Sequence, residues 1–295
     1  MRKVFIDELL SRAKDDERII LVSGDIGYGV LDDFAEKLPK QFINFGINEQ
    51  SMMSAAAGLA QSGLKPFVYS IGNFPTFRCL EQIRNDICYM DLDVTIVAVG
   101  AGLAYGTAGY SHHLVEDISA VSSLPKIKIY SPADVVETRL LANSISETPG
   151  PKYVRLGKGG EGVITDKFDQ SHQGFSLLSD DGDIAIVSTG SILSESLKLR
   201  KLLGDVRPTL VSIYDLSAVK RAFSLRDYAK VIVLEEHVMR GGLGSIILET
   251  LNSRVLEIQR FGIREIDSDI SGSQSFLRNH YGLSAESILP KIITP

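Results

Sequence analysis

Hydrophobic positions along the chain switch repeatedly between helical spacing and short, continuous apolar runs. Helical spacing is found over residues 3–14 and again in NEQSMMSAAAGLAQSG, LEQIRNDIC and PADVVETRLLANSISET. The apolar runs between them have the length of buried strands: RIILVSGD, QFINFG, KPFVYSI, DVTIVAVG, KIKIYSP and KYVRLG. This alternation predicts a doubly wound α/β domain with a mostly parallel sheet over residues 1–160.

The alternation stops in a polar, glycine-rich stretch and then begins again. The stretch LGKGGEGVITDKFDQSHQGFSLLSDDGD predicts a linker, placed at 161–179, with one short hairpin. Beyond it, the runs DIAIVSTG, PTLVSIYD, VIVLEE and RVLEIQRFG alternate with the helical segments SESLKLRKLL, GGLGSIILETLNS and LSAESILPKI. We therefore predict a second, smaller α/β domain over residues 180–295.

Composition and charge narrow the class of protein. The chain has 295 residues and is 44% hydrophobic, which suits two domains that each bury a core. A net charge of −6 supplies no basic surplus for phosphates, so we expect no nucleic-acid partner. No apolar run approaches the roughly 20 residues that span a bilayer, and the charged first helix lacks a signal-peptide core. A cytoplasmic protein without a membrane partner is expected.

The two cysteines, Cys79 and Cys88, lie in one stretch with helical spacing. Nine residues of helix make about two and a half turns, which places the two side chains on opposite sides. We therefore predict two core residues in a reducing compartment, and neither a disulfide nor a metal pair. No metal site is predicted in this chain.

Glu49 follows a short apolar run and opens a predicted helix. One interpretation is structural, because a carboxylate at a helix N-terminus interacts well with the helix dipole. The helix that it opens is rich in small residues, which let another backbone approach: Ser54, Ala55, Ala56, Ala57, Gly58 and Ala60. A carboxylate desolvated in such surroundings also suits acid–base chemistry, so Glu49 is a candidate catalytic residue.

The residues around Glu49 also carry a family resemblance. The pattern G-x-x-E-x-x-M-x-x-x-A-x-G-x-A, which runs here from Gly46 through Glu49 to Ala60, resembles the pyrimidine-binding domain of transketolases and deoxyxylulose-phosphate synthases. The second half is similar to the transketolase C-terminal domain. The resemblance implies thiamine diphosphate as cofactor. It also implies that Glu49 shares a proton with N1′ of the aminopyrimidine, so that the 4′-imino nitrogen can remove the C2 proton.

A second block begins YGTAGYSHHLVEDIS and contains adjacent histidines at 112 and 113. Taken alone, they fit a solvated polar loop or an adventitious metal contact. The block is similar to the family segment G-x-T-H-Q-x-x-E-D. This resemblance implies that His112 faces the substrate as a catalytic group that donates or relays a proton. His113 then stands at the family's Gln as a substrate contact, with Glu116 as a supporting carboxylate.

The segment YSIGNFPTFRCLEQIRNDI resembles the family segment whose aromatic residues pack against the aminopyrimidine. Phe74 and Phe77 are therefore candidates for cofactor binding, and either can be the stacking partner. Asn73 and Pro75 interrupt the family's spacing, which leaves the choice between the two rings open. As plain sequence, two phenylalanines are also explained as core residues.

Arg155, in GPKYVRLGKGG, lies where transketolases carry an arginine for the substrate phosphate. The planar fork of its guanidinium suits a phosphate, and a surface arginine at a strand end is the alternative interpretation. The histidine loop departs from the family in one respect. Ala108-Gly109 replaces an Asp-Gly pair whose Asp helps to read a substrate hydroxyl in transketolases, so the usual sugar-phosphate specificity is not implied.

In full-length transketolases a further domain precedes this region and holds the diphosphate and the magnesium ion. The resemblance therefore implies a beta-type subunit of a split transketolase, with Mg²⁺ (or Ca²⁺) bound mainly by a separate thiamine-diphosphate-binding, N-terminal-half subunit. We expect an α2β2 heterotetramer that acts on small sugars. The expected reaction transfers a two-carbon ketol unit from a ketose, with or without a phosphate, to an aldehyde.

Two other functions stay open. A deoxyxylulose-phosphate-synthase-like or 2-oxo acid decarboxylating subunit would use the same scaffold for another substrate. A non-catalytic scaffold homologue would bind a partner without the cofactor, although the presence of Glu49 and His112 speaks against it.

Overall fold

The first half of the molecule is built on a sheet in which all pairings are parallel. The computed structural model describes residues 1–178, 182–225, 227–251 and 257–293. The strands of this sheet are β1 (Ile19–Ser23), β2 (Phe42–Asn44), β3 (Lys65–Ile71), β4 (Thr95–Val99), β5 (Lys128–Tyr130) and β6 (Lys152–Leu156). Their order is β2-β1-β3-β4-β6-β5. Burial of β1, β4 and β6 along their full length explains their continuous apolar runs.

Helices pack on both faces of this sheet. They are α1 (Arg2–Ala13), α2 (Asp32–Lys37), α3 (Glu49–Gln61), α4 (Asn73–Phe77), α5 (Leu80–Gln82), α6 (Asp117–Ser122) and α7 (Val135–Ile145). Met52 and Met53 of α3 are buried in the core on one face, and Phe5 of α1 and Phe34 of α2 are buried on the other. The predicted doubly wound arrangement is therefore confirmed.

The stretch LEQIRNDIC was predicted as one α-helix, and the structure corrects this prediction. After α5 the chain forms a π-helical segment over Ile83–Cys88, in which the N–H of Tyr89 bonds the carbonyl of Arg84 five residues earlier. Cys79 and Cys88 are free and buried, as expected. Burial raises the pKa of Cys79 to about 12 and that of Cys88 to about 11, so both are neutral thiols at neutral pH.

The second half is built on a smaller, mixed sheet of order β11-β10-β8-β9-β7. Its strands are β7 (Phe175–Leu178), β8 (Ile184–Thr189), β9 (Thr209–Ile213), β10 (Lys230–Val238) and β11 (Glu257–Ile263). Its helices are α8 (Leu193–Leu202), α9 (Val219–Ser224), α10 (Leu243–Thr250), α11 (Gln274–His280) and α12 (Ala285–Ile293). Within the described ranges, no helix combines the length and the apolar character that crossing a membrane requires.

Strand β7 lies within the segment that the sequence predicts as a linker. It pairs antiparallel with β9 and so belongs to the second sheet. The predicted short hairpin is present as a single antiparallel bridge between Asp169 and Leu177.

The parallel strands of the first sheet position the candidate site. The carboxyl ends of parallel strands lie along one edge of a sheet, where α/β proteins bind ligands. The chain that leaves β2 reaches Glu49, the chain that leaves β3 reaches Phe74, and the loop after β4 carries His112. Three residues that are distant in sequence therefore approach the same edge.

Candidate active site

Glu49 is the first residue of α3, at the turn from β2 into that helix. Gly46 makes this turn at φ +67°, a conformation that is strained for residues with a Cβ. The Glu49 side chain is only 4% exposed, and its Oε2 accepts a 2.7 Å hydrogen bond from Nη1 of Arg78. The Arg78 side chain is 47% exposed. A buried carboxylate is therefore covered by a cation that reaches solvent.

Arg78 also covers the ring of Phe74, which is partly buried in α4. The guanidinium carbon lies 4.8 Å from the ring centroid, which is a cation–π contact. The sequence analysis did not select Arg78, although its position four residues after Phe74 was a usable signal, since such pairs meet on one face of a helix. A planar cation thus bridges the carboxylate of Glu49 and the aromatic face of Phe74.

The Phe74 ring also contacts the imidazole of His112. Their centroids are 5.4 Å apart and their planes make an angle of 72°, an edge-on arrangement. Nδ1 of His112 lies 3.0 Å from the hydroxyl of Ser111, and Asn73 donates a 2.6 Å hydrogen bond to the Ser111 carbonyl. The histidine loop is therefore tied to the residue just before Phe74. Glu49, Arg78, Phe74 and His112 form one continuous series of contacts.

His113 points to a different place from His112. It is 1% exposed, and neither ring nitrogen has a hydrogen-bond partner within the described part of the chain. Burial lowers the pKa of His113, so the imidazole is neutral at neutral pH. His113 lines a cavity of about 410 Å³ together with Asn73, Phe77, Tyr110, Ser111 and Glu116. The structure thus brings Phe77 and His113 to one cavity beside the Glu49–His112 series.

Tyr110 and Glu116 form a hydrogen-bonded pair in this cavity. The phenol of Tyr110 donates to Oε1 of Glu116 at 2.9 Å. Burial raises the pKa of Glu116, and the bond from Tyr110 opposes that effect. The sequence analysis selected Glu116 and missed Tyr110, whose signal was its position in the same glycine-rich loop. Nearly all groups that line the cavity are uncharged, and Glu116 is its only carboxyl among the described residues.

Arg155 lies in β6 and is 2% exposed. Its Nε donates to both carboxylate oxygens of Asp117 at 3.1 and 2.9 Å, and its Nη2 donates to the carbonyls of Leu114 and Glu236 at 2.6 and 3.1 Å. A guanidinium that is enclosed and paired in this way is not accessible to a substrate phosphate. The structure therefore argues against the phosphate-binding role implied by the resemblance. Arg155 holds the histidine loop in place instead.

The side chains at the strand ends fit the pyrimidine half of thiamine diphosphate. Glu49 offers a desolvated carboxylate and Phe74 offers an aromatic face, and the guanidinium of Arg78 contacts both. A guanidinium is planar and carries N–H donors, and an aminopyrimidine has both properties. A site that accepts the first therefore has the shape and the polarity to accept the second.

Both halves of the chain match models of known protein families. Residues 1–160 match the pyrimidine-binding domain of transketolase, and residues 175–288 match the transketolase C-terminal domain. One of the two subunits of the apulose-4-phosphate transketolase from Phocaeicola vulgatus is 33% identical over 97% of this chain and 94% of that protein. The 1-deoxy-D-xylulose-5-phosphate synthase of Clostridium acetobutylicum is 30% identical over 99% of this chain but only 48% of that protein.

A solved structure agrees with these relatives. A split-gene transketolase in an inactive β4 tetramer matches with a TM-score of 0.85 and 28% identity, over 99% of this chain and 96% of that chain. Two α/β domains, with the site residues gathered at the strand ends of the first, define a transketolase-type protein. The chain belongs to the transketolase family, of which it contains the pyrimidine-binding and C-terminal domains. Its recognition from sequence as a beta-type chain of a split transketolase is confirmed.

Proposed function

We propose that this chain supplies the pyrimidine side of a two-subunit transketolase that transfers a two-carbon ketol unit from a ketose to an aldehyde with thiamine diphosphate. The observation that carries this proposal is the series of contacts from Glu49 through Phe74 to His112. Membership of the transketolase family supports the transferase class. The match to one subunit of an apulose-4-phosphate transketolase, over nearly the full length of that subunit, supports the division of the enzyme between two chains.

The residues near β2 and β3 would hold the cofactor. When bound, thiamine diphosphate supplies the electron sink for breaking a carbon–carbon bond. Glu49 holds a proton against the pyrimidine nitrogen N1′, in a position that burial keeps away from water. Phe74 presents its ring to the aminopyrimidine, and Phe77, which is 38% exposed, lies at the adjoining cavity.

The two histidines take different parts in the proposed reaction. His112, next to the Phe74 ring, donates and accepts the proton of the substrate oxygen. His113 is neutral because it is buried, so it orients the substrate through hydrogen bonds rather than through charge. The cavity that it lines suits the hydroxyl-bearing carbons of a small sugar.

The proposal includes a thiamine-diphosphate-binding partner subunit, which holds the diphosphate and Mg²⁺ (or Ca²⁺), in an α2β2 heterotetramer. Large apolar side chains on this edge of the molecule support a covering partner. Ile47, two residues before Glu49, and Tyr28 in the loop after β1 are each 81% exposed. Exposed apolar groups beside a site are typical of a surface that another chain covers. The cytoplasmic location stays a prediction.

The test is to reconstitute the enzyme from this chain and its purified partner. We expect ketol transfer from a ketose to an aldehyde by the complex and none by either chain alone. Glu49→Gln preserves the size of the side chain and should lower kcat by at least about 10²-fold, as removal of an acid–base group does. Glu36→Gln, an exposed carboxyl on α2, is the matched control. Size-exclusion chromatography should show intact complexes for both variants.

Two results would overturn the proposal in different ways. Release of carbon dioxide from pyruvate without ketol transfer would favour the synthase-like or 2-oxo acid decarboxylating function, which the relationship to 1-deoxy-D-xylulose-5-phosphate synthase keeps open. Formation of a complex that shows no magnesium-dependent binding of thiamine diphosphate in calorimetry would favour a scaffold. Full activity of the Glu49→Gln complex would remove the mechanism while leaving the assembly intact.

A further inference from the structure

A basic cleft lies in the second domain, where the ends of β10 and β11 meet. Two adjoining cavities of about 620 and 750 Å³ share Arg260, Arg264, Glu265 and Ile266 in their walls. Arg240 lines the smaller cavity, and the larger one extends to Lys291 at the end of the chain. We call the joined space the basic cleft. It is separate from the cavity beside His113, with which it shares no lining residue.

The cations of the basic cleft are not neutralised by the protein itself. Its walls carry four permanent cations, Arg240, Arg260, Arg264 and Lys291, against the carboxyls of Glu265 and Asp267. Asp267 lies 3.8 Å from His280. Among the residues that the structure describes, no carboxylate forms an ion pair with Arg240, Arg264 or Lys291. In a chain with a net charge of −6, such a local excess of positive charge attracts an anion.

One arginine of the basic cleft is held in place by neutral acceptors. Nη1 of Arg260 lies 3.3 Å from the hydroxyl of Ser245 and 3.5 Å from the carbonyl of Met239. Its charge is thus positioned without being paired. Met239, Val238 and Ile266 add apolar surface to the wall. Guanidinium groups bind phosphate through two parallel hydrogen bonds, and the volume is that of a small-molecule site.

We propose that the basic cleft binds the phosphate group of a small phosphorylated metabolite. Arg240 and Arg264 contribute the free guanidinium groups, and Arg260 contributes a fixed one. This inference concerns the second domain and does not depend on the function proposed for the first.

The wall of the basic cleft is bonded to the segment that carries Glu116. The N–H of Val238 donates to the carbonyl of Val115 at 2.8 Å, and the hydroxyl of Ser119 donates to the carbonyl of Arg240 at 2.5 Å. Glu116 lies between these two attachment points and lines the cavity beside His113. The phosphate therefore has two possible sources with one chemistry: the far end of a substrate, or a separate effector.

Direct binding to the full-length chain tests the proposal. Inorganic phosphate and ribose 5-phosphate are titrated at constant ionic strength, and binding is followed by nuclear magnetic resonance. Arg264→Ala and Arg240→Ala should each weaken binding at least about tenfold, as loss of one charge-assisted contact does. Arg264→Lys should retain part of the affinity. Arg207→Ala, an exposed arginine elsewhere in the same domain, should leave it unchanged. Thermal unfolding of each variant confirms that it is folded.

The binding measurement decides the proposal. Absence of binding, or equal affinity in folded Arg264→Ala, Arg240→Ala and wild-type chains, overturns it, as does a loss produced by Arg207→Ala alone. Kinetics of the assembled complex then assign the source. If the phosphate belongs to the substrate, Arg264→Ala raises KM at least about tenfold for xylulose 5-phosphate and not for unphosphorylated erythrulose. If it belongs to an effector, added inorganic phosphate changes the erythrulose rate of the wild-type complex and not that of the variant.

Discussion

Arg78 and Glu49 form a 2.7 Å ion pair in which only the arginine reaches solvent. The same guanidinium lies 4.8 Å from the centroid of Phe74, so one side chain contacts both groups that are proposed to receive the aminopyrimidine. In the proposed function, Arg78 leaves at least one of these contacts when the cofactor enters. The long, exposed side chain of an arginine can make that movement without disturbing the fold.

Replacement of Arg78 by Ala is therefore expected to tighten cofactor binding. The variant no longer has to break the Arg78 contacts before the ring is covered, and an ion pair of this exposure contributes about 1 kcal/mol at most. The dissociation constant of thiamine diphosphate, measured by calorimetry with the assembled complex, should fall by up to about fivefold. Arg84→Ala, which removes an exposed arginine bonded only to Asn85 among described side chains, should change nothing. Weaker cofactor binding by Arg78→Ala would instead make Arg78 part of the binding site.

His112→Ala is expected to slow the chemical step and to leave cofactor binding intact. The imidazole contacts the edge of Phe74 but makes no hydrogen bond to Glu49, so its removal leaves the pyrimidine contacts in place. We expect kcat to fall by about 10²-fold or more in steady-state assays, and the dissociation constant of thiamine diphosphate to change less than twofold. His172→Ala, in which the lost imidazole stacks on Phe175 in the second half of the molecule, is the control. An unchanged kcat for His112→Ala would remove its catalytic role.

The parts of this site that the sequence predicts are those set by local pattern. The alternation of apolar runs and helical spacing placed Glu49 at the start of a helix after a strand, and α3 begins at that residue. Small side chains and adjacent histidines are visible within a few positions. The two sheets and their parallel strands follow from the same local signals.

Contacts between distant segments could not be predicted in this way. Arg78 meets Glu49 across 29 positions, and Arg155 meets Asp117 across 38. A sequence window shows the charge of a residue and not its partner, so Arg155 was interpreted as an accessible cation. Strand β7 was missed for a related reason: its four residues border a polar stretch, and only pairing with β9 makes them a strand.

Arg155→Met should destabilise the protein rather than only weaken substrate binding. The change leaves Asp117 buried without its cation, and it also leaves the carbonyls of Leu114 and Glu236 without their donor. Removing one partner of a buried pair costs about 3–5 kcal/mol, so the free energy of unfolding in urea should fall by that amount. Lys158→Met, three residues further along and exposed, should have little effect on stability. A stable Arg155→Met protein with a higher KM only for phosphorylated sugars would restore the role that the family resemblance implied.

The pH dependence of stability contains a contribution from Glu235, which is fully buried near the end of β10. Its Oε1 accepts a 3.2 Å hydrogen bond from the N–H of Gly244, and its Oε2 has no hydrogen-bond partner among the described residues. Burial raises the pKa of Glu235 from 4.5 to about 7, although backbone donors at Gly244 and Leu243 oppose the effect. The folded chain therefore binds more protons than the unfolded chain between about pH 4.5 and 7. The stabilisation is complete below pH 4.5 and is lost as pH rises through 7.

Glu235→Gln should remove this part of the pH dependence. A change in pKa of that size corresponds to roughly 3 kcal/mol, so the free energy of unfolding of the variant relative to wild type should rise by up to that amount from pH 4.5 to pH 8. Burial lowers the pKa of the neighbouring His237 to about 4, which makes its contribution fall as pH drops below 6.5. That opposite effect is present in both proteins and cancels in the difference. Urea unfolding at pH 4.5, 6 and 8 measures it, with Glu286→Gln as an exposed control on α12. A difference between Glu235→Gln and wild type that stays constant over this range would show that the buried carboxyl does not take up a proton on folding.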